Sequence, residues 1–155
     1  MQQTVFEVDF NKSQVLIIDE TDRPKSMGTK TLSRIDIRIW LRFVSPQDAL
    51  VSKVDALLFR RRRFRKPEKL GDWIQPARSI STITDKKGLP LAAHSKSEYY
   101  MFMWVVNLPK EFKYEWLSSR CFVQVISSFT GQLDYKRRLD IEWTGLRTGQ
   151  MTPQK

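Results

Sequence analysis

One cysteine, one histidine and six glycines in 155 residues leave little room for several kinds of chemistry. Cys121 has no second cysteine to pair with, so no disulfide forms within the chain, which fits a reducing compartment. Structural zinc needs a tetrahedral set of Cys or His ligands, and Cys121 and His94 are the whole supply. A cysteine or serine hydrolase would have to recruit His94, which sits in the polar stretch Ala93-His94-Ser95, an ordinary surface setting. Long hydrophobic runs are missing as well. The longest apolar stretch, 99–106, is less than half the ~20 residues that span a bilayer. Met1-Gln2-Gln3-Thr4 does not open a basic and then apolar leader, so secretion is not expected. These absences argue for a non-enzymatic binding protein that needs no cofactor. Its expected place is intracellular, cytoplasmic or nuclear, or peripheral at the inner face of a membrane.

What the chain does have is aromatic and basic. Hydrophobic residues make up 41%, with five Trp and nine Phe, too rich for a disordered segment. The formal charge is +10. A compact domain over 1–143 is expected, long enough for a real core, followed by a polar, mobile tail over 144–155 that carries two glycines and a proline.

Period-two patterns dominate. Phe6, Val8 and Phe10 alternate with Glu7 and Asp9, and Val15-Leu16-Ile17-Ile18 follows, which reads as an opening hairpin. Over 32–44, Ile35, Ile37, Ile39, Leu41 and Phe43 take one face of a strand, and Arg34, Asp36, Arg38, Trp40 and Arg42 the other. A weak strand follows at 78–84. The stretch 99–106 lacks polar alternation and reads as a central strand covered on both faces. Segments 121–129 and 133–143 form a hairpin about Thr130-Gly131-Gln132. Ser45-Pro46-Gln47-Asp48 has the chemistry of a helix start, and Leu50, Val54, Leu57 and Leu58 recur at helical spacing. A substantial helix over about 46–64, ended by Pro67, is therefore expected. Residues 109–118 fit a short second helix or an extended segment. The fold class is mainly β to α+β: an antiparallel sheet or sandwich of about 6–8 strands with that one helix.

The run Arg60-Arg61-Arg62-Arg63-Phe64-Arg65-Lys66 sets six cations around one ring. Guanidinium forks match phosphate and carboxylate oxygens, so such density attracts polyanions. A solvated helix end accounts for many charge runs, but a helix C-terminus rewards only its last few cations and the rest repel one another. Arg34, Arg38, Trp40 and Arg42 make a second basic, aromatic face, in which Trp40 between arginines could stack on a base. A covering layer, with the arginines paired to acids such as Asp36, accounts for that face equally well. Phe6, Phe43, Phe122 and Trp143 belong to the core.

Two acidic signals are weaker. Val15-Leu16-Ile17-Ile18-Asp19-Glu20 has the shape of a magnesium-holding strand of ATP-hydrolysing motors, but Met27-Gly28-Thr29-Lys30-Thr31 lacks the form of a phosphate-cradling loop. Asp19, Glu20 and Asp22 are weak candidates for a divalent metal site.

The reading reached from sequence is sequence-independent nucleic-acid binding, of RNA or nucleoprotein, through a basic helix end and a basic, aromatic strand face. The alternative is a structural assembly protein of viral-matrix type at an anionic phospholipid surface. A metal-dependent nuclease using Asp19, Glu20 or Asp22 comes third. A nuclear import receptor reading the basic run, and self-association, are further partners it allows.

Overall fold

The computed structural model describes residues 3–18, 34–74 and 87–154. Asp19, Glu20, Asp22 and the strand expected at 78–84 lie outside them. The described residues are mainly β. The strands are β1 (Val5–Val8), β2 (Gln14–Ile18), β3 (Arg34–Val44), β4 (Ala49–Arg62), β5 (Arg65–Lys69) and β6 (Asp72–Ile74). After them come β7 (Leu89–Leu91), β8 (Lys96–Val106), β9 (Cys121–Phe129), β10 (Tyr135–Trp143) and β11 (Thr148–Pro153). They form one antiparallel sheet in the order β5-β4-β9-β10-β11-β2-β3-β8-β6, with β1 also beside β3 and β7 also beside β4.

Chain connectivity forces this sheet to curl. Laid flat, the eight steps of ~4.8 Å between β5 and β6 would hold them about 38 Å apart. Only Leu70 and Gly71 join them, and at ~3.5 Å per residue that link reaches about 10 Å. The two edges therefore meet. Gly71 makes the corner with φ +69°, where an added Cβ would lie 2.6 Å from the Val106 carbonyl oxygen. Leu70 is buried beside it, and its N–H donates to the Leu58 carbonyl at 2.9 Å.

The inward side of the curl is the core. On β3, Ile35, Ile37, Ile39, Leu41 and Phe43 are all buried, as the alternation predicts. Each such side chain contributes roughly 1.5–3 kcal/mol by leaving water. On β8, Met101, Met103 and Val105 face inward, while the exposed Tyr100 and the half-buried Phe102 and Trp104 occupy the outer face. The alternation is present there, but aromatic residues on the outside conceal it. The β9–β10 hairpin forms as expected, with Gly131 at φ +76° in its turn.

Several expectations are corrected. The helix expected over about 46–64 is β4, and the sheet has eleven strands among the described residues rather than 6–8. Val51 pairs with Phe129 and Lys53 with Ser128, so Ser52 is an extra residue in the ladder. This bulge puts Val51 and Val54, three apart, on the inner face with Ala56 and Leu58, which mimics a helical interval. Ser45 caps no helix: its hydroxyl donates to the Gln47 carbonyl and meets the Thr4 hydroxyl at 2.9 Å.

The opening strands do not pair with each other. β1 lies against Leu41–Val44 register positions of β3 and β2 against its first five residues, in line, with a 3-10 turn (Phe10–Lys12) between them. The Ser13 hydroxyl accepts the Trp40 N–H at 2.9 Å, substituting for a ladder bond so that the chain runs on instead of reversing.

Residues 109–118 are turns leading to a single-turn helix, α1 (Trp116–Ser119). Phe112, Tyr114 and Trp116 pack on the core at the end of the sheet where β4 finishes and β9 starts. The expected mobile tail supplies β11, which sits between β10 and β2 with Met151 buried.

Candidate anion-binding hairpin

Residues 60–66 form the tip of the β4–β5 hairpin. Arg60 pairs across it with Glu68 and Arg62 with Arg65, with a register irregularity between the two rungs. Pro67 falls opposite that irregularity on the edge strand β5, where its missing N–H leaves no ladder bond unmade. Arg63 and Phe64 make the turn. Phe64 takes φ +60°, a region that Gly or Asn normally fills, and is 92% exposed.

The hairpin outruns its neighbour. Arg60 opposite Cys121 is the last β4–β9 rung, and the Arg61 N–H then donates to the Arg120 carbonyl at 2.6 Å. Arg62 to Lys66 project beyond β9.

The six cations divide into two groups. Arg60 pairs with Glu68 and lies 5.0 Å from the Trp116 ring. Arg61 donates to the Cys121 carbonyl at 3.1 Å, pairs with Asp140 and covers the Phe122 ring at 5.0 Å. These two hold the hairpin to the sheet. Arg62 donates to the Lys66 carbonyl at 2.9 Å, and the Arg63 guanidinium lies 5.2 Å from the Phe64 ring. Among the described residues no carboxylate pairs with Arg62, Arg63, Arg65 or Lys66. Like charges opposed across a ladder are destabilising, and an anion between them removes the repulsion.

The outer face of β9 and β10 continues this surface. Phe122 is buried there, outside the main core: it stacks on Phe59 at 5.4 Å and lies under the guanidiniums of Arg61 and of Arg138, at 4.6 Å. Lys136 and Arg138 stand exposed on the same face of β10. Phe122 is buried, as its sequence setting predicts; Lys136 and Arg138 are not among the site residues expected from sequence, and their alternation with Tyr135, Arg137 and Leu139 is the signal that marks them.

The β3 face is separate and largely satisfied. Arg34 pairs with Asp36 at 2.8 Å and lies 4.5 Å from the Trp104 ring. Arg38 lies 5.8 Å from the Phe102 ring. Trp40 meets Tyr100 edge to face at 4.0 Å and carries the Lys12 ammonium 4.6 Å from its ring. Arg42 pairs with Glu7, and its hydrogen bond to Glu7, helped by the charges of Glu7, Glu98 and Asp9, pushes its pKa upward. Those three acids, Trp40 and Arg42 line a cavity of about 320 Å³, which makes this end of β3 acidic. β9, β10, β11 and β2 separate β3 from β4 in one direction, and β8, β6 and β5 in the other. The fold therefore does not bring Arg34, Arg38, Trp40 and Arg42 into one surface with residues 60–66.

Among the described residues no cluster of three or more His, Cys, Asp or Glu is placed to hold a metal. Cys121 is buried, and burial pushes its thiol up to about 12 against the lowering effect of Arg60, Arg61 and Arg120. The His94 backbone N–H donates to the Ser45 carbonyl at 2.8 Å, near the start of β4, while Cys121 faces Arg60 at that strand's end. No helix among the described residues is long and apolar enough to cross a membrane. No protein-family model, curated protein or solved structure matches the chain.

Proposed function

We propose that the chain is a non-enzymatic polyanion-binding protein that holds nucleic acid by its phosphate backbone through the β4–β5 hairpin. One observation carries this reading: Arg62, Arg63, Arg65 and Lys66 stand beside the exposed Phe64 in the chain on a projecting tip, without carboxylate partners among the described residues. Phosphates neutralise the four cations and release the counterions of the strand. Phe64 offers a π-face to an unpaired base, an interaction of ~1–3 kcal/mol that tolerates any base. Arg138 and Lys136 extend the track across the sheet. These contacts read backbone and ring, so binding is independent of sequence and favours single-stranded RNA over duplex.

The test is the salt dependence of RNA binding. About 0.7 in the slope of log affinity against log salt accompanies each phosphate contact on a single strand. Replacing Arg62, Arg63, Arg65 and Lys66 together by Ala is expected to cut that slope by about 3. Unchanged affinity and slope in this variant would sink the reading. The nuclease reading rests on Asp19, Glu20 and Asp22, beyond the described residues, and no observation favours it.

A further inference from the structure

The structure points to a second function at the same end of the molecule: we propose that it docks on an anionic phospholipid bilayer, with Phe64 and Leu146 entering the headgroup layer as two separate apolar points.

The topology sets both residues at one end. β4 and β10 each run antiparallel to β9, so they run in the same direction. The Arg61–Asp140 pair ties the two strands at one level. Beyond it β4 continues to its turn at Phe64, and β10 to the turn that contains Leu146. Phe64 is 92% exposed and Leu146 fully exposed. The Leu146 turn is itself held: the Thr144 N–H donates to the Thr148 carbonyl at 3.0 Å, and the Ile17 N–H to the Arg147 carbonyl at 2.9 Å. Two firmly based turns thus present large apolar side chains at their apices, and the four carboxylate-free cations of the hairpin flank one of them.

A bilayer accounts for this pair better than nucleic acid does. Phe64 has a face that a base can use. Leu146 is aliphatic, with no ring to stack and no donor to offer a phosphate. An interface rich in acyl chains takes both residues, and the phosphates above it take the arginines. Each cation close to a charged leaflet strengthens attachment about fivefold, which gives the contact its dependence on lipid charge.

Flotation of the full chain tests the inference, using vesicles of phosphatidylcholine alone or mixed with phosphatidylserine. RNA binding is measured on the same proteins. The wild-type chain is expected to float with the mixed vesicles and not with the neutral ones. Leu146→Ser is expected to lower vesicle affinity about tenfold while RNA affinity stays unchanged, and Phe64→Ser/Leu146→Ser lowers it further. Both positions are exposed, and a thermal melt verifies that each variant folds. No flotation of the wild type, equal recovery with neutral vesicles, or wild-type flotation of Leu146→Ser overturns the inference. If Leu146→Ser loses RNA affinity and keeps its flotation, the apex serves nucleic acid instead. Failure of the RNA reading looks different, because the Ala variant of Arg62, Arg63, Arg65 and Lys66 would then keep its RNA salt slope.

Discussion

Arg61 on β4 reaches across the Phe122 ring of β9 to pair with Asp140 on β10, so one guanidinium fastens three neighbouring strands. Both partners are partly exposed, which limits the pair to about 0.2–1 kcal/mol of stability. Asp140 also holds a negative charge beside the proposed phosphate track. Asp140→Asn is therefore expected to cost up to about 1 kcal/mol in urea unfolding and to tighten RNA binding up to about fivefold at low salt. Arg61→Ala is expected to weaken both. A variant Asp140→Asn that binds RNA less well would place the track elsewhere.

The bulge at Ser52 makes a prediction that a helix would reverse. Leu57 and Leu58 both lie on the apolar stripe of the helix read from sequence. In β4, Leu58 is buried and Leu57 faces outward, half-buried. Leu58→Ala is expected to cost ~2–5 kcal/mol, and Leu57→Ala less than about half of that. Equal losses in the two variants would favour the helical arrangement.

That contrast marks where the sequence was legible. β3 could be read because an unbroken alternation of its sequence buries one face, β9 because it is rich in Val, Ile and Phe, and β10 because its turn contains Gly131. β4 could not, because one inserted residue moves Val51 and Val54 to an interval of three. The in-line arrangement of β1 and β2 depends on one serine hydroxyl standing in for a ladder bond, which composition does not reveal. β11 is polar by sequence because its outward residues are Thr148, Gln150 and Thr152, while Gly149 and Met151 fill the inner face. In the candidate site, the charge of residues 60–66 was plain. Which of those cations are free was not, since the partner of Arg61 is Asp140, far along the chain, and only the folded sheet brings them together.

Cys121 gives the fold an alkaline weakness. Its thiol rises from an ordinary 9.0 to about 12 in the folded protein, chiefly through burial. Across that window the native state keeps a proton that the unfolded chain has lost, so stability falls as pH rises through it. Thermal melts from neutral pH upward should show this decline, and Cys121→Ala should flatten it. The native thiol should also resist a disulfide reagent that modifies the urea-unfolded chain at once. Equal reaction rates for folded and unfolded protein would contradict the burial.

Phe64 sets stability against binding. Left-handed backbone costs a residue with a Cβ roughly 1–2 kcal/mol. Glycine avoids that cost and gives up about 0.5–1 kcal/mol to the entropy of the unfolded chain. The balance predicts that Phe64→Gly gains up to about 1 kcal/mol in stability. The same change removes the stacking ring, so RNA affinity should fall about fivefold or more. Phe64→Leu separates the two effects, because it keeps the strained backbone and an apolar apex and loses only the π-face. It should bind RNA as poorly as Phe64→Gly while floating with anionic vesicles as well as the wild type. A loop shaped only by folding would respond otherwise: Phe64→Gly would gain stability and lose neither ligand, and the strained turn would then have no part in binding.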